Sequence, residues 1–165
     1  RDLRRSRGLG DVYKRPLEGN EVGAAFGMAQ LQKLQDNIST RQTNFARQCD
    51  FFSNHVQFFD NPAELYGCNT AWLAFPVLIK DSAPFSRKEF QIYLENRNIQ
   101  TRVVFTGNIL RQPMCRNIEK RVMPEGYPNA DNIMERGVLL PLHHGLTEDM
   151  FSRLHKTINE FLSQY

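Results

Sequence analysis

Apolar residues recur three or four apart through Val22, Phe26, Ala29, Leu34, Ile38, Phe45, Cys49, Phe52 and Val56, the spacing of one helical face. The pattern predicts one long amphipathic helix, or two nearly collinear ones, ending near His55. Asn20 can cap its start, and Glu21 falls at the positive end of the helix dipole. Gln30, Lys33, Arg41 and Arg47 lie off the stripe and are expected in solvent. The run Gly23 to Ala29 is small on most sides, so another backbone could approach it closely; a plain core helix fits the same run. After a turn-rich stretch at 60–70, Ala71 to Lys80 is apolar on both faces and reads as a strand covered on both sides. Pro76 cannot donate to a ladder and sets this strand at an edge or a bulge.

Ser86-Arg87-Lys88-Glu89 forms a capping box, stapled by Phe85 and Phe90, for a helix running to about Asn96 that buries Phe90, Tyr93 and Leu94. A second strand follows in Thr101, Val103, Val104 and Phe105 and breaks at Gly107. Asn108, Arg111 and Gln112 then crowd one loop at its carboxyl end, where a rigid strand would hold them as a binding group. Arg and Asn suit phosphate or sugar oxygens, although a Gly-Asn turn with a solvated Arg accounts for the same residues. Residues 114–128 are irregular. Asn129 can cap a short helix to Arg136, ended by Gly137. Val138 to Leu142 is a third strand running into His143-His144-Gly145. Thr147 caps the last helix, with Glu148 and Asp149 in its first turn, a Leu146–Phe151 staple, and a buried stripe of Met150, Leu154, Ile158, Phe161 and Leu162. Strands alternating with helices give an α/β class: a long amino-terminal helix, then an α/β sandwich around a small, mostly antiparallel sheet.

Charge changes the picture at one end only. The chain of 165 residues carries a net +3. Residues 1–16 hold six basic groups and two acids, so this leader is +4 and the remainder −1. A nucleic-acid binder should carry its positive charge on the folded part, so no nucleic-acid partner is expected. The leader lacks helical periodicity, reads as unstructured or as translated adapter sequence, and is set apart from a domain at 17–165. No apolar run approaches the roughly 20 residues of a membrane helix. The three cysteines, Cys49, Cys68 and Cys115, fit neither a disulfide scaffold nor a zinc knuckle and point to a reducing cytoplasm. The four histidines form no HExxH, and neighbours such as His143 and His144 at a strand end point to opposite faces, so no metal is expected. No P-loop, GxSxG or GxGxxG is present, and no catalytic residue stands out.

The stretch Glu21-Val22-Gly23-Ala24-Ala25-Phe26-Gly27-Met28-Ala29-Gln30-Leu31-Gln32-Lys33-Leu34, with Arg41 seven further on, resembles the E-x-Q-A-A-x-G-x-x-Q-L-x-x-L…R segment of the DegT/DnrJ/StrS enzymes. These are pyridoxal-phosphate sugar aminotransferases and their dehydratase relatives, of the aspartate-aminotransferase fold. The resemblance covers Leu17 to Tyr165 and implies the carboxyl-terminal small domain with the helix leading into it. Where aminotransferases of the family read G-I-x-T-R-x-H-Y-P-x-P-L-H-x-Q-P, this chain keeps Thr101, Arg102, Gln112 and Pro113 but has Thr106-Gly107-Asn108-Ile109-Leu110 for the P-x-P-L-H core. That substitution is similar to the branch of deoxysugar 3-dehydratases, which remove the C3 hydroxyl of a 4-keto sugar nucleotide.

The resemblance further implies a pyridoxal phosphate cofactor, a nucleotide-sugar substrate, a homodimer, and a role in deoxysugar or lipopolysaccharide biosynthesis by C3 dehydration or transamination. It puts the Schiff-base lysine, or the histidine replacing it, in a large domain that this chain does not contain. None of Lys33, Lys80, Lys88, Lys120 or Lys156 has the context of that lysine, so the chain is expected to be a fragment, inactive alone. Asn108, Arg111 and Arg102 are the expected substrate-binding residues, with His143 or His144 joining them. Two other classes stay open: a complete small α/β ligand-binding module gripping an anion through Asn108 and Arg111, and an interaction domain using the Gly23 to Ala29 face.

Overall fold

The computed structural model describes residues 21–165; the leader at 1–16 and the Asn20 cap lie outside the described residues. Of the two forms expected, the stretch takes that of two helices: α1 (Glu21–Leu31) and α2 (Leu34–Ser53), separated by a turn at Gln32 and Lys33. The chain divides into two compact units at Asn37 and Ile38. In the first unit α1 is apolar around its circumference and buries none of its residues; Val22, Phe26 and Met28 are all more than two-thirds exposed. An all-apolar helix is normally a surrounded one.

The second unit is built on a four-stranded, wholly antiparallel sheet ordered β1-β2-β4-β3, comprising β1 (Phe59–Asp60), β2 (Ala74–Ile79), β3 (Arg102–Val103) and β4 (Gly137–Pro141). The two-residue β1 has no counterpart in the sequence pattern. Strand β2 is shorter than expected and half-buried on one face, because its burial alternates residue by residue. Phe75 and Val77 of β2 lie opposite Leu140 and Val138 of β4, and all four are inward and buried. Pro76 sits on an inner strand, but β1 covers only Leu78 and Ile79. At Pro76, therefore, the β1 side of the strand is unpaired and a missing N–H is tolerated.

Helix α3 (Arg87–Glu95) starts as expected: the Ser86 hydroxyl accepts from Glu89 N–H while the Glu89 carboxylate accepts from Ser86 N–H at 2.7 Å. The Phe85 and Phe90 rings lie 6.2 Å apart as the staple. Phe90 and Leu94 are fully buried, whereas Tyr93 is only half-buried. Helix α4 (Pro128–Arg136) opens on a proline at its first position, not on an Asn129 cap; the ring's fixed φ suits that place and no N–H is missed there. Thr147 caps α5 (Glu148–Leu162) as expected. The buried stripe of α5 keeps Leu154, Ile158, Phe161 and Leu162 but loses the exposed Met150 and gains Phe151 and Thr157.

The core is aromatic, with Phe52, Phe59, Phe75, Phe85, Phe90 and Phe161 joined by successive ring contacts. Helix α2 enters it by an unexpected face: Asn44, Gln48 and Phe52 are buried, four apart, while Val56 is more than half exposed. The two amides are satisfied. Asn44 donates to the carbonyls of Leu142 and His143, and Gln48 donates to that of Pro141. His155 Nε2 lies 2.8 Å from Gln48 Oε1, an acceptor, which puts the ring proton on Nε2. The His155 ring stacks on Phe51 at 3.9 Å. Arg47, expected in open solvent, reaches Glu148 at 2.6 Å and lies over the Phe151 ring.

Candidate functional site

Strand β3 is only Arg102–Val103; the chain leaves it at once for the loop bearing Thr106 to Gln112. Two left-handed residues make the turn, Phe105 (φ 48°) and Gly107 (φ 63°). Glycine is required at the second on two counts. The positive φ disfavours a side chain, and a Cβ there would stand 2.2 Å from Met134 Cβ on α4. Phe105 has no such excuse, and its ring is 87% exposed. A non-glycine residue in this region costs on the order of 1 kcal/mol and persists only where its surroundings fix it.

Those surroundings are polar. Asn108 is buried; its Oδ1 accepts from Leu110 N–H at 3.0 Å, capping the 3₁₀ turn Ile109–Arg111, and its Nδ2 donates to Asp131 Oδ1 at 2.8 Å. Arg111 grips the same carboxylate with two donors, Nε to Oδ1 at 2.9 Å and Nη2 to Oδ2 at 2.8 Å. This fork-on-fork geometry is the strongest form of the pair. Gln112 ties the loop to itself by donating to the Thr106 carbonyl, and Arg87 donates to the Met134 carbonyl beside Gly107. The Arg111 and Asn108 hydrogen bonds hold the Asp131 carboxyl down at about 2, so it stays ionised at any ordinary pH. Asp131 carries no local sequence signal, standing 20 residues from Arg111 in the first turn of α4. The loop's two expected donors are thus brought together, but around a carboxylate of the same chain. With Nε and one Nη2 hydrogen engaged, Arg111 keeps three of its five N–H groups, on a side chain still 65% exposed.

The other three expected residues lie elsewhere. Arg102 points away from the loop, paired with Leu139 on β4, and lines a separate groove with His143. His143 and His144 fall in the turn after β4, both exposed, where His143 Nδ1 accepts from Gly145 N–H. None of the three hydrogen-bonds to Asn108, Arg111 or Asp131. Among the described residues no three His, Cys, Asp or Glu side chains gather as metal ligands, and no helix is long and apolar enough to cross a membrane. The lysines among the described residues are placed as follows. Lys80 pairs with Asp60, Lys156 with Glu160, Lys120 donates to the Cys115 carbonyl, and Lys33 and Lys88 are on the surface.

Comparison with known proteins gives this arrangement its setting. The lipopolysaccharide biosynthesis protein RfbH of Salmonella typhimurium is 28% identical over 145 residues, covering 88% of this chain and 33% of that protein. The GDP-4-keto-6-deoxy-D-mannose 3-dehydratase of Yersinia pseudotuberculosis is 33% identical over 129 residues, covering 78% of this chain and 31% of the enzyme. Among solved structures, the E. coli GDP-4-keto-6-deoxy-D-mannose-3-dehydratase with bound hydrated PLP superposes with a TM-score of 0.72 at 26% identity, over 81% of this chain and 33% of that one. The chain therefore spans about a third of the length of these relatives. The family model itself matches residues 17–159, and the chain belongs to the DegT/DnrJ/EryC1/StrS aminotransferase family.

Proposed function

We propose that this chain is the carboxyl-terminal portion of a pyridoxal-phosphate enzyme acting on a 4-keto-6-deoxy nucleotide sugar, and that the reaction is C3 dehydration in deoxysugar or lipopolysaccharide biosynthesis. The observation that carries the reading is likeness to a 3-dehydratase over more than three-quarters of this chain, in sequence and in backbone. Pyridoxal phosphate would supply the electron sink for loss of the hydroxyl. The residues here do not fit its Schiff base, so its attachment belongs to another part of the parent enzyme. What this chain contributes is a shaped wall for the substrate. Its loop presents Arg111 by the edge that Asp131 leaves open, a planar donor set suited to a phosphate, from a backbone already fixed. The largely apolar α1, none of whose residues is buried, supports packing against the large domain or a dimer mate, and the enzyme is read as a cytoplasmic homodimer.

The test uses the intact enzyme. Replacing Arg111 by Ala is expected to raise the KM for the sugar nucleotide about tenfold or more, with the cofactor's absorbance unchanged. Unchanged kinetics would make the loop an ordinary turn. Lost cofactor absorbance would show that the loop serves the cofactor instead.

A further inference from the structure

Strand β3 pairs only with Val138 and Leu139, so beyond Leu139 one side of β4 is left without a neighbour. A groove of about 510 Å³ opens there, between this part of β4, residues 98–102 and the first half of α5. That volume lies within the range of small-molecule sites, roughly 300–1,000 Å³. The floor is aliphatic, from Ile99, Leu139, Leu142, Leu146 and Leu154. The polar lining is of one sign: Arg102 and Arg153 stand at the rim with His143, Asn98 and Gln100, and no carboxylate lines it. Arg153 is held in place by donating Nη2 to the Arg97 carbonyl at 2.6 Å, which leaves most of its donors available. Arg102 makes no ion pair among the described residues. Phe151 in the lining is 1% exposed and already carries the Arg47 guanidinium 4.6 Å from its centroid, so the only open ring is the His143 imidazole at the rim. Along the floor a methylene chain finds methyl groups along its length.

We propose that this groove is a binding site for an aliphatic carboxylate, its chain on Leu73, Leu139 and Leu146 and its head paired with the Arg102 and Arg153 rim. Charge and surface agree: an anion answers two guanidiniums with no competing acid, and an aliphatic body removes aliphatic floor from water. Arg102 and His143, expected beside the sugar nucleotide, line this groove instead, whereas Asn108 and Arg111 do not, and it shares no residue with the depression beside Gly107.

The test is titration of octanoate into the intact enzyme, followed by methyl NMR. Saturable shifts are expected for Leu146 and Met150. The double substitution Arg102→Gln/Arg153→Gln is expected to weaken binding about tenfold at an unchanged melting temperature, and Arg102→Lys/Arg153→Lys to retain most of it. Should the glutamine variant not fold, Leu146→Glu sets a carboxylate in the groove and is expected to abolish binding. Octyltrimethylammonium binding as tightly as octanoate, or affinity indifferent to these substitutions, would overturn the proposal. So would no saturable shift, or GDP moving the same methyls in preference to octanoate.

Discussion

The aromatic core and the Thr106 to Gln112 loop hold their shapes by opposite means. In the core, Phe52, Phe75 and Phe90 are wholly removed from water, Phe52 and Phe75 stacked on each other and Phe90 against Phe59; most of the energy there is in area and volume. In the loop almost nothing apolar is buried. Phe105, Ile109 and Met114 are all more than half exposed, and one carboxylate accepting three hydrogen bonds sets the geometry. The core can therefore absorb an isosteric apolar swap, and the loop cannot absorb the loss of a single directed contact. A surface meant to meet a ligand gains from the second arrangement, because its shape does not depend on burying the groups it must present.

The largest blow to the contrast would fall on the core. Phe90→Ala removes a ring at 0% exposure with ring neighbours at 5.3–6.2 Å. It is expected to cost about 3–5 kcal/mol, a fall in Tm of roughly 10 °C or more, while nuclear shifts around Asp131 stay in place once the variant is folded. A small melting change would mean that the core is looser than its contacts. Next comes Gly107→Ala. It forces a Cβ into Met134 at a positive φ and is expected to cost about 2 kcal/mol, concentrated in the loop and α4 as faster amide exchange. Uniform exchange across the sheet would erase the distinction between the regions. The mildest probe is pH. Burial first, then Arg47 and His55, push His155 down from 6.5 to about 4, so the unfolded chain takes up a proton before the folded one. Stability is expected to be level above pH 6.5 and to fall as pH drops from 6.5 toward 4. His155→Gln should flatten that slope in melting curves, and an unaltered slope would assign it to another group.

Much of the frame was legible because its signals are local. The Ser86–Glu89 box, the Phe85–Phe90 staple and the Thr147 cap need only neighbours in the chain, and each is present. The Glu21 to Leu34 motif led to the family for the same reason. What sequence missed was long-range. Asn44 and Gln48 broke the apolar stripe of α2 because their amides answer β4 carbonyls about a hundred residues away. Strand β1 escaped notice because two residues carry no periodicity. In the site, Asn108 and Arg111 stand together as the sequence placed them, both on one carboxylate. Their partner Asp131 was not legible, since nothing between positions 111 and 131 announces that α4 folds back over the loop.

Those two amides of α2 have a consequence for what the sheet will not do. The carbonyls of Pro141, Leu142 and His143, where β4 runs out of its strand partners, are the kind of unpaired acceptors on which a stray strand from another molecule could dock. Asn44 and Gln48 already occupy them from a helix that cannot be extended into a strand ladder. Fibril growth or strand exchange from this end would first have to pull α2 from the core, with Phe52 on it. The side chains that spoil the helix's apolar stripe thus act as a guard against aggregation at this end of the sheet.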